Sequence, residues 1–325
     1  MASRRIFRIY VFSLASWAIA FIAALRWGSV AHADLRLIVA LRLPRAILAS
    51  AVGMALGVAG AALQALFSNP LCEPYTLGIS SGSALGAVLG VVFGLEWMIA
   101  GLAGTAFIGA VVFTVILLFF SRRTRSSAAS GNLTLLLAGV MLGFLGSSLV
   151  ALAMALGDSR GIQGAIAWLL GDLSRARMTG AVFSSVAVLF LSLAIWNHRK
   201  ELDALLMGEE QAVTLGINVV SARKRLVLLV SLITAVAVSA SGMIGFVGLV
   251  VPHFVRKSVS SLHYHLIPLS AIWGAAVLIA ADVAARVIAS PYELPVGAVT
   301  AVIGAPLALY VILRGSSIRN SGGVA

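Results

Sequence analysis

The sequence predicts an all-α integral membrane protein with about ten transmembrane helices. This prediction rests on the composition of the chain and on the spacing of its charged residues. Of the 325 residues, 61% are hydrophobic and only 10% are charged, and the mean hydropathy is +1.06. That is too apolar for a domain surrounded by water. Charged clusters interrupt the apolar sequence at intervals of about 20–30 residues, close to one helical bilayer crossing. These crossings occupy nearly the whole chain, so residues 1–325 are predicted to form a single transmembrane domain.

The apolar sequence divides into ten segments of helical length. The seventh and eighth run together through 241–245, where the glycines either turn the chain back or only kink one helix. Nine crossings are therefore the alternative to ten. The segments are 6–26, 46–67, 76–94, 97–120, 132–156, 179–197, 225–243, 244–260, 266–288 and 296–313.

The basic residues predict the orientation. With ten crossings, roughly twice as many Lys and Arg residues fall on the side of the two termini as on the other side. Both termini are therefore expected in the cytoplasm. Orientation also explains the formal charge of +12 better than nucleic-acid binding, because the basic residues lie in short clusters between apolar segments. A signal peptide ending at 31–33 is the alternative for the N-terminus, but its apolar part, 9–25, is longer than usual.

Two connecting stretches are unusual. Within residues 157–178, the apolar piece 162–170 is too short to span a bilayer and is predicted to lie at the outer face. Residues 198–224 form the longest polar stretch and read as two short helices separated at a glycine, on the cytoplasmic side. Because acidic and apolar residues alternate there, the stretch is predicted to dock a partner; a solvated linker is the alternative.

Small residues recur at helical spacing in two segments. Such a pattern lets neighbouring backbones approach closely in lipid, so tight helix packing is expected. The glycines are Gly53 and Gly57 in one segment and Gly78, Gly82, Gly86 and Gly90 in the next.

Prolines mark the turn after the second segment, at Asn69-Pro70 and Glu73-Pro74. Proline disfavours helix in the preceding residue, and irregular backbone at membrane depth persists only beside protein or a water-filled cavity. The turn therefore either lines a gate or is an ordinary loop.

Arginines lie at predicted outer helix ends. Arg42 and Arg45 are three residues apart and could receive a carboxylate together; anchoring to lipid headgroups is the alternative. Arg286 is four residues after Asp282, so an ion pair within that helix competes with binding a partner.

Catalytic and metal-binding signatures are missing from the sequence. No H-E-x-x-H occurs, His263 and His265 in a turn are a weak metal signal, and no metal site is predicted. No G-x-x-x-x-G-K-[ST] phosphate loop occurs either. If ATP drives this protein, another chain must hydrolyse it. The single cysteine, Cys72, is expected to be a small packed residue.

A series of motifs over nearly the whole chain resembles the FecCD-type (BtuC-like) permeases, which import iron-siderophores, haem and cobalamin. Two departures are Cys72, where alanine is usual, and the turn 260–265. The motifs are Arg42-Leu43-Pro44-Arg45, Gly60 through Gln64, Asn69 through Pro74, Leu77-Gly78 and Gly82, Leu136 through Gly139, Trp168 with Gly171, Gly208-Glu209-Glu210, Leu215-Gly216, Gly245 through Leu249, Pro252-His253 with Arg256, Ala281-Asp282, and Glu293 through Gly297 with Thr300 and Gly304.

The resemblance implies a type II ABC importer permease: a homodimer in the bacterial cytoplasmic membrane, with two cytoplasmic ATPase subunits that bind ATP and Mg and one extracytoplasmic binding protein. The permease itself would be no enzyme and would hold no cofactor. Site roles follow by similarity: ATPase coupling for Gly208, Glu209, Glu210, Leu215 and Gly216, binding-protein docking for Arg42, Arg45 and Arg286, and a cytoplasmic gate for Asn69, Pro70 and Leu71.

The function expected from the sequence is ATP-driven import of a metal chelate. Iron-siderophore or haem is favoured as cargo because those assignments are commoner in the family, with cobalamin or an oxyanion as alternatives. A secondary carrier and a membrane enzyme are the rivals from other classes. A carrier would transport without an ATPase, and an enzyme would turn over without partners.

Overall fold

A computed structural model describes residues 2–28, 34–94, 101–123, 128–157 and 159–320. Over these ranges the chain is helical and contains no strand. The helices are α1 (Ala2–Arg26), α2 (Leu35–Leu37), which continues as a π-helical turn (Ile38–Arg42) into α3 (Leu43–Leu66), α4 (Ile79–Val92), α5 (Gly101–Arg123), α6 (Ala128–Leu156), α7 (Ser159–Leu169), α8 (Met178–Asn197), α9 (Arg199–Leu206), α10 (Glu209–Thr214), α11 (Val219–Ser241), α12 (Val247–Ser258), α13 (His263–Val287) and α14 (Val296–Asn320).

Each of the ten predicted apolar segments contains a helix within the described residues. Within the described ranges, seven helices are long and apolar enough to cross a bilayer, whereas α4, α12 and the apolar part of α14 are shorter. Large apolar side chains such as Phe183 and Phe190 of α8 point outward from the bundle, as expected for a surface in lipid. The polytopic all-α prediction is confirmed. The possible cleavage site at 31–33 lies outside the described residues.

The chain reverses direction between α11 and α12, which decides between nine and ten segments. The helix ends at Gly242, whose φ is +70°, and resumes after Phe246, whose φ is +68°. Four residues separate α10 from α11, and four separate α12 from α13, which begins beside α9. α11 therefore starts and α12 stops at the same end of the bundle. The glycines therefore turn the chain rather than kink one helix.

The two ends of the bundle can be named by residues that lie there. The Asp203 end contains α9, α10 and the beginnings of α1 and α13: the Tyr10 hydroxyl lies 3.2 Å from Nδ1 of His265, next to the contact between His263 and Asp203. The Arg45 end contains the last turn of α1, the π-helical turn and the end of α13.

α3 is the central helix, and glycine determines its closest contact. A Cβ on Gly53 would lie 2.2 Å from the carbonyl oxygen of Gly274 in α13, and one on Gly57 would lie 2.2 Å from that of Ser270. Only glycine permits this backbone approach, so the predicted role of this pair in tight packing is confirmed.

The second set of small residues packs α4 against α5. Gly82 contacts Phe113, Gly86 contacts Gly109, and Gly90 contacts Thr105. Gly78 does not belong to this stripe. It precedes α4 with a φ of +73° and faces Gly139 of α6, because the short 3-10 helix Pro74–Leu77 turns the chain there.

Candidate functional site

A buried charge cluster lies at the Arg45 end. Arg45 donates from Nε to Oδ1 of Asp282 (2.8 Å) and from Nη1 to Oε2 of Glu293 (2.7 Å). Asp282 also faces Nη2 of Arg286 at 3.1 Å, which is the ion pair within α13 that the spacing predicts. Two guanidinium groups thus share one carboxylate, which compensates its removal from water.

Arg42 joins the cluster through the last turn of α1. Its Nη1 donates to the carbonyl oxygens of Leu25 (3.0 Å) and Arg26 (2.7 Å), and Nη1 of Arg286 donates to that of Ala24 (3.2 Å). Carbonyl groups at a helix end lack intrahelical partners, and these cations satisfy them. The guanidinium groups are buried in protein rather than extended to lipid headgroups.

The π-helical turn sets the position of Arg42 relative to Arg45. Pro44 has no N–H and so cannot form the regular helical hydrogen bond to the carbonyl four residues earlier. The N–H of the preceding residue, Leu43, donates to the carbonyl of Ile38, five residues back, which is the π-helical pattern. Both arginines border one cavity of about 250 Å³, together with Arg286 and Glu293. The three predicted docking arginines are therefore neighbours in space.

The Asn69-to-Leu71 turn lies at the other end of α3. The side chain of Asn69 accepts a hydrogen bond from the Leu71 N–H (3.0 Å), which shapes the turn around Pro70, and Leu71 is exposed. Ser68, with a φ of +48°, donates to the carbonyl oxygen of Leu205 in α9 at 3.4 Å. The predicted gate residues are thus tied to the polar stretch 198–224.

The segment after this turn holds the reversal between α11 and α12. Glu73 accepts from the Phe246 N–H at 3.3 Å, and the Tyr75 hydroxyl binds the Ile244 N–H. Side chains of one non-helical segment therefore satisfy backbone groups of another, as membrane-embedded irregular backbone requires. Gln64 adds bonds to the carbonyls of Gly248 and Leu249.

Residues 198–224 contain two short helices, α9 and α10, separated at Gly208. Its φ of +111° favours glycine, and Gly216, with a φ of +79°, ends the pair. Glu209 forms an ion pair with Arg223 of α11, whereas Glu210 is exposed. Of the two predicted coupling carboxylates, one thus fastens α10 to the bundle and the other faces outward.

Asp203 joins α9 to the beginning of α13. Its Oδ1 accepts from the backbone N–H of His263 (2.9 Å) and lies 2.6 Å from Nδ1 of that buried histidine. Burial alone would raise the pKa of Asp203, but the two hydrogen bonds from His263, its charge and that of Arg199 outweigh burial and hold this pKa below its ordinary value. Asp203 is therefore a carboxylate at neutral pH.

His263 and His265, which the sequence placed in a turn, instead begin α13, and they have different partners. His263 contacts Asp203, and His265 contacts Tyr10. In the described part of the chain, no three His, Cys, Asp or Glu side chains converge as metal ligands would.

Several contacts of these candidate sites could not be found by sequence reasoning. Glu293, Asp203, Glu73 and Tyr75 all pair with residues far along the chain, and periodicity within one helix carries no signal for such pairs. The only signal for these pairs was chemical, because Glu73 and Glu293 are carboxyl groups within two residues of a proline.

Comparison with known proteins gives concordant matches. The vitamin B12 import system permease protein BtuC of Vibrio cholerae is 37% identical over 89% of this chain and 85% of its own, and the hemin transport system permease protein HmuU of Yersinia pestis is 38% identical over 86% and 84%. A solved chain of a transporter described as of the metal-chelate ABC type, in an inward-facing conformation, superimposes with a TM-score of 0.84 and 28% identity, covering 96% of this chain and 99% of that one. Residues 6–314 match the model of the FecCD transport family, and the chain belongs to that family of multi-pass membrane permeases.

Proposed function

We propose that this chain is the transmembrane subunit of an ATP-driven importer that carries a metal chelate into the cytoplasm. Two copies would enclose one pathway, two ATPase subunits would bind at the Asp203 end, and one binding protein would dock at the Arg45 end. The Asp203 end, with both termini, then faces the cytoplasm, in agreement with the excess of basic residues there.

The exposed apolar surface of the segment 207–220 is the observation that carries the proposal. Val213 is 61% exposed and Leu215 63%, and Met207 and Val220 are similarly exposed, although this segment is anchored by Glu209 on the side facing the bundle. A polar stretch that holds apolar side chains outward at one end of a membrane protein is typical of a docking surface. Gly208, Glu210 and Gly216 would set its shape and charge.

Movement of this surface would reach the gate by a short route. α9 contacts the turn of Asn69, Pro70 and Leu71 through Ser68 and Leu205. ATP binding that draws the two ATPase subunits together would move α9 and α10 and, with them, this turn. Ligand and nucleotide would then shift populations between outward-facing and inward-facing states.

The cargo is proposed only as a class. The vitamin B12 and hemin permeases resemble this chain equally, at 37% and 38% identity, so neither is preferred. Both named cargoes are metal-bearing macrocycles, which supports haem or cobalamin; a ferric siderophore is the alternative that the family resemblance implies.

The test uses a double variant, Val213→Ser with Leu215→Ser, of the assembled importer in liposomes. Haem, cobalamin and a ferric siderophore are offered to it in turn. Each exposed apolar side chain contributes about 1.5–3 kcal/mol when buried in an interface. We therefore expect ATPase subunits to bind at least about tenfold more weakly and ATP-dependent uptake of the single accepted chelate to fall accordingly.

Leu262→Ser is the matched control, because Leu262 is 57% exposed at the same end but lies in the turn before α13. It should leave uptake unchanged. Normal ATPase binding by the double variant would refute the docking role. Uptake driven by an ion gradient without any ATPase subunit would instead establish a secondary carrier.

A further inference from the structure

We propose that the carboxylate of Glu293 binds the guanidinium of Arg45 where a carboxylate of the binding protein would bind, and that docking of the binding protein displaces Glu293. This inference rests on the proposed docking of a binding protein at the Arg45 end. It adds a regulatory residue to that site: the carboxylate of Glu293 competes with the partner for the same guanidinium.

The two carboxylates of the cluster differ in how firmly they are held. Asp282 lies within the continuous helix α13, its side chain is 1% exposed, and it contacts both Arg45 and Arg286. Glu293 lies in the non-helical connection between α13 and α14, and its side chain is 33% exposed. Asp282 is therefore the fixed partner, and Glu293 is the one that can exchange.

The charges favour an incoming anion. Three guanidinium groups, of Arg42, Arg45 and Arg286, face the two carboxylates, so the cluster keeps one net positive charge while Glu293 is in place. If Glu293 turns away, Arg45 keeps only its bond to Asp282. A carboxylate from the partner would replace the lost bond without leaving a cation unpaired in a buried site.

The cavity gives the incoming group access. Its volume is about 250 Å³, and its walls include Gly28, Leu41 and Ser174, with Glu293 at its border. A Cβ on Gly28 would lie 3.1 Å from Nη2 of Arg42 and 3.3 Å from Nη1 of Arg286, so the glycine keeps the guanidinium groups approachable. The chemistry of the cavity fits an acidic side chain presented by a protein surface.

Competition of this kind makes docking reversible. An importer must release its emptied binding protein, and an internal carboxylate that rebinds Arg45 lowers the free-energy gain of docking. Loss of Glu293 is then expected to slow dissociation of the binding protein more than it changes association.

The experiment measures binding of the importer's own binding protein to the assembled importer in lipid nanodiscs at several salt concentrations. Glu293→Gln should bind about three- to tenfold more tightly at low salt, mainly through slower dissociation, with a smaller gain at high salt. Asp34→Asn removes one negative charge from an exposed residue at the same end that makes no side-chain cap and should change affinity by less than about twofold.

The outcomes separate this inference from the proposed function. Unchanged or weaker binding by Glu293→Gln, or an equal gain by Asp34→Asn, overturns the competition. If Arg45→Glu leaves binding unchanged, the docking role of the cluster itself is wrong. Should Glu293→Gln fail to assemble, Glu293→Asp, which shortens the side chain but keeps its charge, should bind about two- to threefold more tightly, and no change there also overturns the inference.

Discussion

At the scale of single residues, this chain uses carboxylates and hydroxyls in place of regular backbone bonds. Glu73 and Tyr75 hold the N–H groups of Phe246 and Ile244, and Asp203 holds that of His263. An unpaired backbone group within the bundle would cost several kcal/mol in lipid. By pairing these N–H groups, the side chains make possible the chain reversals that short membrane helices require.

Cys72 offers a pH-dependent test of the turn before α4. Burial raises the pKa of its thiol to about 11, so at neutral pH the reactive thiolate is rarer by about a hundredfold than for a thiol with the reference pKa of 9.0. We expect alkylation by iodoacetamide to be slow at pH 7.5 and to rise about tenfold per pH unit as the pH approaches 11.

The control for this labelling is Ser261→Cys combined with Cys72→Ser, which places the only thiol at an exposed position of the Asp203 end. It should react rapidly at pH 7.5. If Cys72 reacts at the same rate as this control in the resting protein, the turn is not packed as described. Faster labelling of Cys72 during ATP turnover would report movement of the proposed gate.

Residue pairs show how far sequence reasoning reaches. The contact between Asp282 and Arg286 is predicted because four residues make one helical turn. The contact of Asp282 with Arg45 spans 237 positions and that of Asp203 with His263 spans 60, and no local pattern encodes them. Sequence therefore identifies the charged residues of the site but not which of them are already neutralised.

At the scale of helices, the pattern of apolar residues is sufficient to predict the type of each element and nearly sufficient to predict the number of helices. The ten segments appear as helices because lipid leaves the backbone no alternative. The reversal at 242–246 could not be decided from the two glycines alone, since it depends on Glu73 and Tyr75, which come from another part of the chain. The π-helical turn before Pro44 was likewise not predicted.

The contact between α3 and α13 is expected to be intolerant of a single added methyl group. Gly53→Ala would place Cβ 2.2 Å from a backbone oxygen that cannot rotate away. Overpacking of this kind costs about 1–3 kcal/mol, and a backbone clash lies at the upper end. We expect a clearly lower thermal unfolding midpoint in detergent.

Gly180→Ala is the matched control for this substitution. Gly180 lies in α8, and nothing is within 4 Å of where its Cβ would be. Alanine there removes backbone entropy from the unfolded chain and should leave the midpoint unchanged or slightly higher. A Gly53→Ala protein as stable as the wild type would show that the helices can separate without cost.

At the scale of the whole molecule, α13 connects the two proposed partner surfaces. Its first residue is held by Asp203 of α9, and its last turns carry Asp282 and Arg286 of the charge cluster. Its 25 residues correspond to a length of about 37 Å, enough to cross the membrane. A shift of the segment 198–224 can therefore be transmitted to the Arg45 end by this one helix, in which Pro268 removes a single backbone hydrogen bond near the Asp203 end.

Asp203→Asn tests this transmission in the assembled importer. The variant keeps an acceptor for the His263 N–H but loses the charged contact with its ring. The exposed surface of Val213 and Leu215 is untouched, so ATPase binding and basal hydrolysis should be retained. Stimulation of hydrolysis by the binding protein should fall about five- to tenfold, which corresponds to about 1–1.4 kcal/mol, the lower end of the usual coupling free energies.

Glu201→Gln is the control, because Glu201 belongs to the same helix but pairs with His198 and Arg225 rather than with α13. It should retain stimulation. If the contact itself transmits the movement, adding His263→Gln to Asp203→Asn should cause no further loss, since each change already removes the same pair. Full stimulation in Asp203→Asn would mean that the signal reaches the Arg45 end by another route, such as the turn at Ser68 and α3.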